Sequence, residues 1–342
     1  MTLARILRPL AAVLLLVSSW SGPARAQGRV PAFDSLFVFG DSLVDVGNVW
    51  HLSRALHLTP APPPSESPNL TYWLGRFSNG RVSVEYLWDR LDGRKPGQRV
   101  ALRPFVTGPW LNATDAVSFA FGGTGTPEID QTPGGFYAPG LKGQVELFRL
   151  ALRGRRPSRK ALYVVMTGAN DYRVDRYNVP MQPEQVVANI TESVRRLCAL
   201  GARDVLVLSL PDLGQTPYLT PDEAAARSLV TQSHNDLLRP AIETLGDQVP
   251  GSRIRYVEVD ILLNELRATM NAREAALDVL LPPDPMSPVL MSACLFVDPA
   301  TCQDVPGGNF STPGAFLFWD VVHPTTEAHE RLADRLYDQL SR

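Results

Sequence analysis

The sequence predicts an α/β protein, a three-layer α/β/α sandwich around a central, mainly parallel sheet of five strands. Three observations carry that prediction. Short apolar runs recur along the chain, and several are continuous rather than alternating, as a strand buried on both faces requires. Segments with helical spacing separate them, and alternating strand and helix builds a parallel sheet covered on both sides. Four of the runs end in a tip carrying Gly, Pro, Asn or Asp, residues suited to the turn that follows a buried strand.

The elements follow in order. Leu36–Phe39 is the first strand, and Ala116–Phe121 is a second, weaker one. Ala161–Thr167, Asp204–Leu210 and Ile254–Val259 complete the five. Between the third and fourth, Gln182–Leu200 carries Val186, Val187, Ile190, Val194, Leu197 and Cys198 on one helical stripe. Asp222–Leu245 is polar and helix-prone. His323–Leu340 opens with Pro324, whose fixed φ and missing donor suit a helix start, and repeats Leu332, Leu336 and Leu340. Thr59–Ser67, Thr132–Gly143 and Pro282–Gly314 are irregular and too short for domains, so they read as surface insertions near the mouth of a site. No internal repeat appears, and residues 27–342 read as one domain with these loop insertions.

Composition narrows the function. The 342 residues are 44% hydrophobic and 20% charged, which is ordinary for a globular chain with a sizeable core. A net charge of -2 and the lack of any charge block give no reason to expect nucleic acid as a partner. At the N-terminus, Arg5 and Arg8 precede the short apolar stretch Leu10–Val17, and Ala24-Arg25-Ala26 is a small-x-small cleavage site. Residues 1–26 therefore read as a signal peptide cleaved after Ala26, and the mature protein as secreted or periplasmic. No later stretch reaches the roughly 20 apolar residues of a membrane span. Export permits disulfides; Cys294 and Cys302 could pair across a short loop, whereas Cys198, on a helical stripe, reads as a buried free thiol. The five histidines do not fall at zinc spacing and no C-x-x-C occurs, so neither a metal site nor a cofactor is expected.

Ligands of open parallel sheets bind outside the carboxyl ends of the strands. Those positions here hold Gly40-Asp41-Ser42-Leu43, Gly122-Gly123-Thr124, Gly168-Ala169-Asn170-Asp171 and Pro211-Asp212-Leu213-Gly214. Ahead of the last helix comes Phe318-Trp319-Asp320-Val321-Val322-His323-Pro324. Together they contain the parts for acyl transfer. A hydroxyl nucleophile needs a base to take its proton, and the base works best when a third group orients it. Ser42 can be the nucleophile and His323 the base, with Asp320 reaching the other ring nitrogen across one turn. The backbone N–H groups of Ser42 and Gly123 and the side-chain amide of Asn170 can receive the oxyanion. Each piece alone has a plainer role in turns and caps. It is their conjunction, in order and at strand ends, that points to chemistry.

The same residues resemble the GDSL, or SGNH, family of serine esterases and lipases. F-G-D-S-L-V-D-V-G-N resembles its first block, F-A-F-G-G-T-G its second, G-A-N-D its third and D-V-V-H-P-T its last. G-R-F-S-N-G-R-V (Gly75–Val82) and L-S-L-P-D-L-G-Q-T-P (Leu208–Pro217) are similar to segments of the larger plant-like and secreted bacterial, phospholipase-like members. The resemblance runs from about Ser35 to the C-terminus and implies a flavodoxin-like SGNH-hydrolase fold. It also implies a catalytic set of Ser42, Asp320 and His323, and an oxyanion hole of Ser42, Gly123 and Asn170. Gly123 is aligned with the oxyanion glycine in preference to Gly122. One departure is Ser118, where the second block often has Asn; it is expected to change local hydrogen bonding and not the donor at Gly123. Asp41, Asp45 and Asn48 are expected to shape the loop after Ser42, and Asp171 to fix its own loop.

The implied function is a secreted carboxylic-ester hydrolase of esterase, lipase or phospholipase type, acting through an acyl-enzyme. An acyltransferase or a carbohydrate-ester deacetylase on the same scaffold is the alternative, and a non-catalytic binding protein ranks below both. Its partner is a small-molecule or lipid ester, with transient contact to a membrane surface where the ester is a lipid. G-x-S-x-G hydrolases are excluded, because Ser42 is not flanked that way and acid and base are neighbours. Gly122–Gly125 is not G-x-G-x-x-G, since Glu128 takes the last position, so nucleotide binding has little support. His234 reads as a polar-face residue in mid-helix, and His51 and His57 have no acid spaced to serve them.

Overall fold

The computed structural model describes residues 30–66, 71–91, 101–112, 114–132, 134–173, 180–261, 264–265, 268 and 317–341. The signal-peptide stretch, the Pro282–Gly314 insertion, Cys294 and Cys302 lie outside the described residues.

In chain order the elements are β1 (Ser35–Gly40), α1 (Asn48–Ala55), α2 (Ser83–Leu91), β2 (Arg103–Pro104), β3 (Ala116–Ser118), β4 (Ile129–Gln131) and β5 (Tyr137–Pro139). They continue with α3 (Leu141–Leu152), β6 (Ala161–Met166), α4 (Pro183–Leu200), β7 (Asp204–Leu208), α5 (Pro221–Gln248), β8 (Arg253–Val257) and α6 (Thr326–Leu340). Six strands form one sheet in the order β2-β3-β1-β6-β7-β8, and every pairing in it is parallel. All five expected strands are present. The sixth, β2, is two residues long and ends in proline, so it carries neither the length nor the apolar run that marks a strand. Proline fits there because an edge strand leaves one row of N–H groups unpaired.

The continuous apolar runs have their reason in burial. Every residue of β1, β6 and β7 is buried, whereas β8 at the edge is mostly half-exposed. Alternation survives as a division between two faces. Leu36 and Val38 of β1 pack with Leu87 and Trp88 of α2 and Leu332 and Leu336 of α6. Phe37 and Phe39 pack on the other face with Phe148 of α3, Ile190 of α4 and Ile242 of α5. Cys198 lies in that second layer as a buried free thiol, as its helical stripe predicts.

Two expectations change. The last helix begins at Thr326, because the Thr325 hydroxyl caps it by accepting the Ala328 N–H at 3.4 Å. That leaves Pro324 ahead of the cap and His323 in a loop. The stretch expected to be irregular at Thr132–Gly143 instead supplies β5, which pairs antiparallel with β4, and the start of α3.

The chain runs from β1 out to β2 and β3 on one side, then crosses to β6, β7 and β8 on the other. The sheet therefore reverses direction around β1. The crevice at the carboxyl ends of strands beside such a reversal is where ligands of open sheets bind.

Candidate active site

Strand β1 ends at Gly40, where φ is 148° and an added Cβ would meet the Met166 carbonyl oxygen at 1.9 Å. Only glycine lets β1 lie that close to β6. Gln144 of α3 grips the same residue: its Oε1 accepts the Gly40 N–H and its Nε2 donates to the Gly40 carbonyl, each at 2.8 Å. A tight turn follows. Asp41 Oδ1 accepts the Leu43 N–H at 3.1 Å, and the Val44 N–H donates to the Asp41 carbonyl at 3.2 Å. Ser42 sits at its tip. Asp41 Oδ2 is buried without a hydrogen-bond partner among the described residues, and burial pushes the carboxyl up to about 7.

The structure brings Ser42, His323 and Asp320 into one chain of hydrogen bonds. Ser42 Oγ lies 2.8 Å from His323 Nε2, and His323 Nδ1 lies 2.6 Å from Asp320 Oδ2. An ionised carboxylate only accepts, so Nδ1 carries the proton and Nε2 is left to accept from the serine hydroxyl. Asp320 Oδ1 accepts the N–H groups of Val322 at 2.9 Å and His323 at 2.8 Å. Burial pushes the Asp320 carboxyl up, but the facing charge of His323 and these hydrogen bonds outweigh it and leave it at about 2. Asp320 thus stays ionised across the neutral range and can stabilise an imidazolium.

Gly123 and Asn170 line the cleft beside Ser42. After β3 the chain still follows β1, with the Phe119 N–H donating to Val38 O at 2.7 Å and the Phe121 N–H to Gly40 O at 3.1 Å. That delivers the glycine pair to the level of the serine. The Gly122 N–H is committed to Asp45 Oδ2 at 2.9 Å, and a Cβ on Gly122 would strike Phe77 at 2.1 Å. Gly123, at φ 78°, is the glycine that faces the cleft. Asn170 Nδ2 donates to Thr124 O at 3.2 Å, which uses one of its two amide hydrogens. The Ser42 N–H has no partner among the described residues. Ser118 accepts the Ala120 N–H at 3.3 Å and donates to Val44 O at 3.0 Å, a local adjustment away from Gly123.

The loop-shaping residues do more than expected. Asp45 accepts from Gly47 in its own loop, from Asn48 and Val49 at the start of α1, and from Gly122. Asn48 Nδ2 donates to the carbonyls of Ser118 and Ala120, both at 2.8 Å. Asp171 also reaches beyond its own loop: its carboxylate accepts from the Thr126 N–H and hydroxyl, which ties it to the loop carrying Gly123.

His234 is corrected outright. It is fully buried in α5, its Nδ1 lies 2.8 Å from the Tyr172 hydroxyl, and burial pushes its pKa down to about 4. His51 and His57 do not line the cleft, and neither do the described parts of the Thr59–Ser67 and Thr132–Gly143 stretches. Four contacts were not foreseen from the sequence. The Tyr72 hydroxyl donates to Asp320 Oδ2 at 2.7 Å. Phe77 packs on the His323 ring, 5.2 Å between centroids. Ser78 donates to Pro324 O at 2.9 Å while Asn79 Oδ1 accepts the Thr326 N–H at 2.9 Å. The Gly75–Val82 block thereby ties down the histidine loop.

The cleft holds about 850 Å³ and is lined by residues from the Ser42 turn to Ala226 and Val230 of α5. Much of its wall is apolar, with Leu43, Met166, Leu213, Val230, Leu317 and Phe318 among its residues. A serine hydroxyl beside an imidazole nitrogen, on the wall of such a cleft, is set for attack on a bound carbonyl.

A parallel sheet with this constellation at its carboxyl edge defines an ester-handling α/β enzyme. The profile of the GDSL-like lipase/acylhydrolase family matches residues 36–336, and the chain belongs to that family. It is 28% identical over 336 residues to a phosphatidylcholine-sterol acyltransferase of Aeromonas hydrophila, an alignment covering 91% of each chain. It is 27% identical over 337 residues to a GDSL esterase/lipase of Arabidopsis thaliana, covering 88% of this chain and 84% of that one. Among solved structures, a mutant of an acetyl-xylooligosaccharide esterase from Geobacillus aligns over 91% of this chain and 95% of its own, with 12% identity and a TM-score of 0.47.

Proposed function

We propose that this protein is a secreted carboxylic-ester hydrolase in which Ser42, His323 and Asp320 act as a catalytic triad. The observation that carries the reading is the unbroken chain from Ser42 Oγ through both ring nitrogens of His323 to Asp320. Ser42 Oγ attacks the ester carbonyl while His323 Nε2 takes its proton. The ionised Asp320 holds the imidazolium that forms. The developing oxyanion is received by the Ser42 and Gly123 N–H groups and the free amide hydrogen of Asn170. His323 returns the proton to the departing alcohol, leaving an acyl-serine. Water then attacks, with His323 again as base. The apolar wall of the cleft favours an ester with a hydrocarbon portion, the signal-like residues 1–26 favour export, and nothing in this route calls for a cofactor.

The test is covalent labelling by a fluorophosphonate together with turnover of a panel of esters of increasing acyl length, phospholipid and choline esters included. Labelling abolished by Ser42→Ala, with ester turnover lost in parallel, is the expected result. Absence of labelling in folded mature protein overturns it and favours a binding role.

A second reading, acyl transfer, is favoured by the similarity to a protein named as a phosphatidylcholine-sterol acyltransferase. The same acyl-serine would then pass to an alcohol in place of water. Product analysis with glycerol or a sterol present separates the two.

A further inference from the structure

We propose that Tyr72 is a positioning residue of this site, acting on His323 through Asp320. The inference rests on the triad reading above. It starts from how the Asp320 carboxylate is held. Oδ1 has two backbone N–H donors on its own loop, from Val322 and His323. Oδ2 has His323 Nδ1 at 2.6 Å and, from 248 residues away, the Tyr72 hydroxyl at 2.7 Å. Two donors on each oxygen fix the rotation of the carboxylate. Without Tyr72, the imidazole, the group that Asp320 is meant to orient, is the one donor left to Oδ2 among the described residues.

Tyr72 is itself built into place. Its N–H donates to Pro64 O at 2.9 Å. Its ring meets Trp319 edge-on at 6.4 Å and Phe77 at 6.3 Å, and Phe77 in turn packs on His323. Tyr72 thus touches Asp320 through its hydroxyl and is linked to the His323 ring through Phe77. Burial and the neighbouring carboxylate push the phenol pKa well above its usual value, so the hydroxyl keeps its proton and remains a donor.

The hydroxyl also moderates charge. A donor on Oδ2 withdraws electron density from the atom that faces Nδ1–H, which weakens the attraction of Asp320 for an imidazolium. His323 also feels Asp41, from the nucleophile turn, and His329, from α6. Replacing Tyr72 by Phe leaves both of those groups in place and removes only the hydroxyl. With Oδ2 carrying more charge, protonated His323 is favoured. Since His323 must be neutral to accept the serine proton, the acidic limb of the activity profile moves to higher pH.

The experiment is the pH dependence of kcat/KM for p-nitrophenyl butyrate hydrolysis by wild type, Tyr72→Phe and a protein with 2,3-difluorotyrosine at position 72. Thermal unfolding and fluorophosphonate labelling at Ser42 accompany each protein. Tyr72→Phe is expected to remain folded and labelled, to lose roughly tenfold in kcat with KM little changed, and to shift the acid limb up by about half a pH unit. Difluorotyrosine, a stronger donor of similar shape, is expected to move the limb down. An unmoved limb in both variants, or a change confined to KM, overturns the proposal and leaves the triad reading standing. Wild type that neither labels nor turns over ester fails both together, and that result is told apart by the labelling gel.

Discussion

Asp45 Oδ2 accepts the Gly122 N–H at 2.9 Å, and that bond joins the loop after Ser42 to the loop that carries Gly123. The same carboxylate accepts the N–H groups of Gly47, Asn48 and Val49, so four donors converge on one buried side chain. Asp45→Ala leaves all four without it. Leaving a buried donor unsatisfied costs about 1–3 kcal/mol, and relaxation will recover part of the sum, so the expected loss is about 3 kcal/mol. Asp45→Asn is expected to cost nearly as much, because its NH₂ would face N–H groups that need an acceptor. In both variants kcat falls more than KM rises, since Gly123 loses its anchor. Urea unfolding and steady-state kinetics on the two variants measure this, and wild-type stability in either would show that the convergence is incidental.

Asn170 separates chemistry from scaffolding differently. Among the described residues its side chain makes one hydrogen bond, to Thr124 O, so truncation leaves little unsatisfied. Removing one oxyanion donor costs on the order of 10²–10³ in rate. Asn170→Ala is expected to fold, to keep its labelling site and to lose about that factor in kcat on a p-nitrophenyl ester. Turnover near wild type would remove Asn170 from the mechanism.

What the sequence made legible has a physical boundary. Burial on both faces forces continuous apolar runs, so β1, β6 and β7 announced themselves, and the polar tips after them marked where a site could stand. Ser42, His323 and Asp320 were legible because each sits in a short block whose neighbours are set by local turn geometry. Tyr72 was not, because its partner Asp320 lies 248 residues away and no local pattern encodes that meeting. Strand β2 was hidden by its length. His234 is a different case, since a signal was present. Thr231, His234, Asn235, Leu238, Ile242 and Leu245 form the buried stripe of α5, and their spacing of three and four places the histidine inside it. Overall polarity concealed that stripe, since 28 residues of helix expose far more surface than they bury.

His329 supplies a stability test that reads the pH axis. It lies on α6 at 2% exposure, and neither ring nitrogen has a hydrogen-bond partner among the described residues. Burial first, then the charge of His323, push its pKa down from 6.5 to about 3. The folded protein therefore keeps this imidazole neutral where the unfolded chain has protonated it. Stability from that difference is complete above pH 6.5 and is lost as pH falls toward 3. At pH 5 the unfolded imidazole is about 1.5 units below its pKa, which corresponds to a loss of about 2 kcal/mol. His329→Leu removes the titrating group and two orphaned polar atoms at similar volume. The variant is expected to be at least as stable as wild type at pH 8. Its unfolding free energy between pH 8 and pH 5 is expected to fall by about 2 kcal/mol less than that of wild type. Buried His234, with its pKa held near 4, remains in both proteins and contributes the same acid sensitivity to each, so it drops out of the comparison. Urea unfolding at the two pH values provides the four numbers. If wild type and His329→Leu lose the same amount, the buried imidazole is protonated in the folded state.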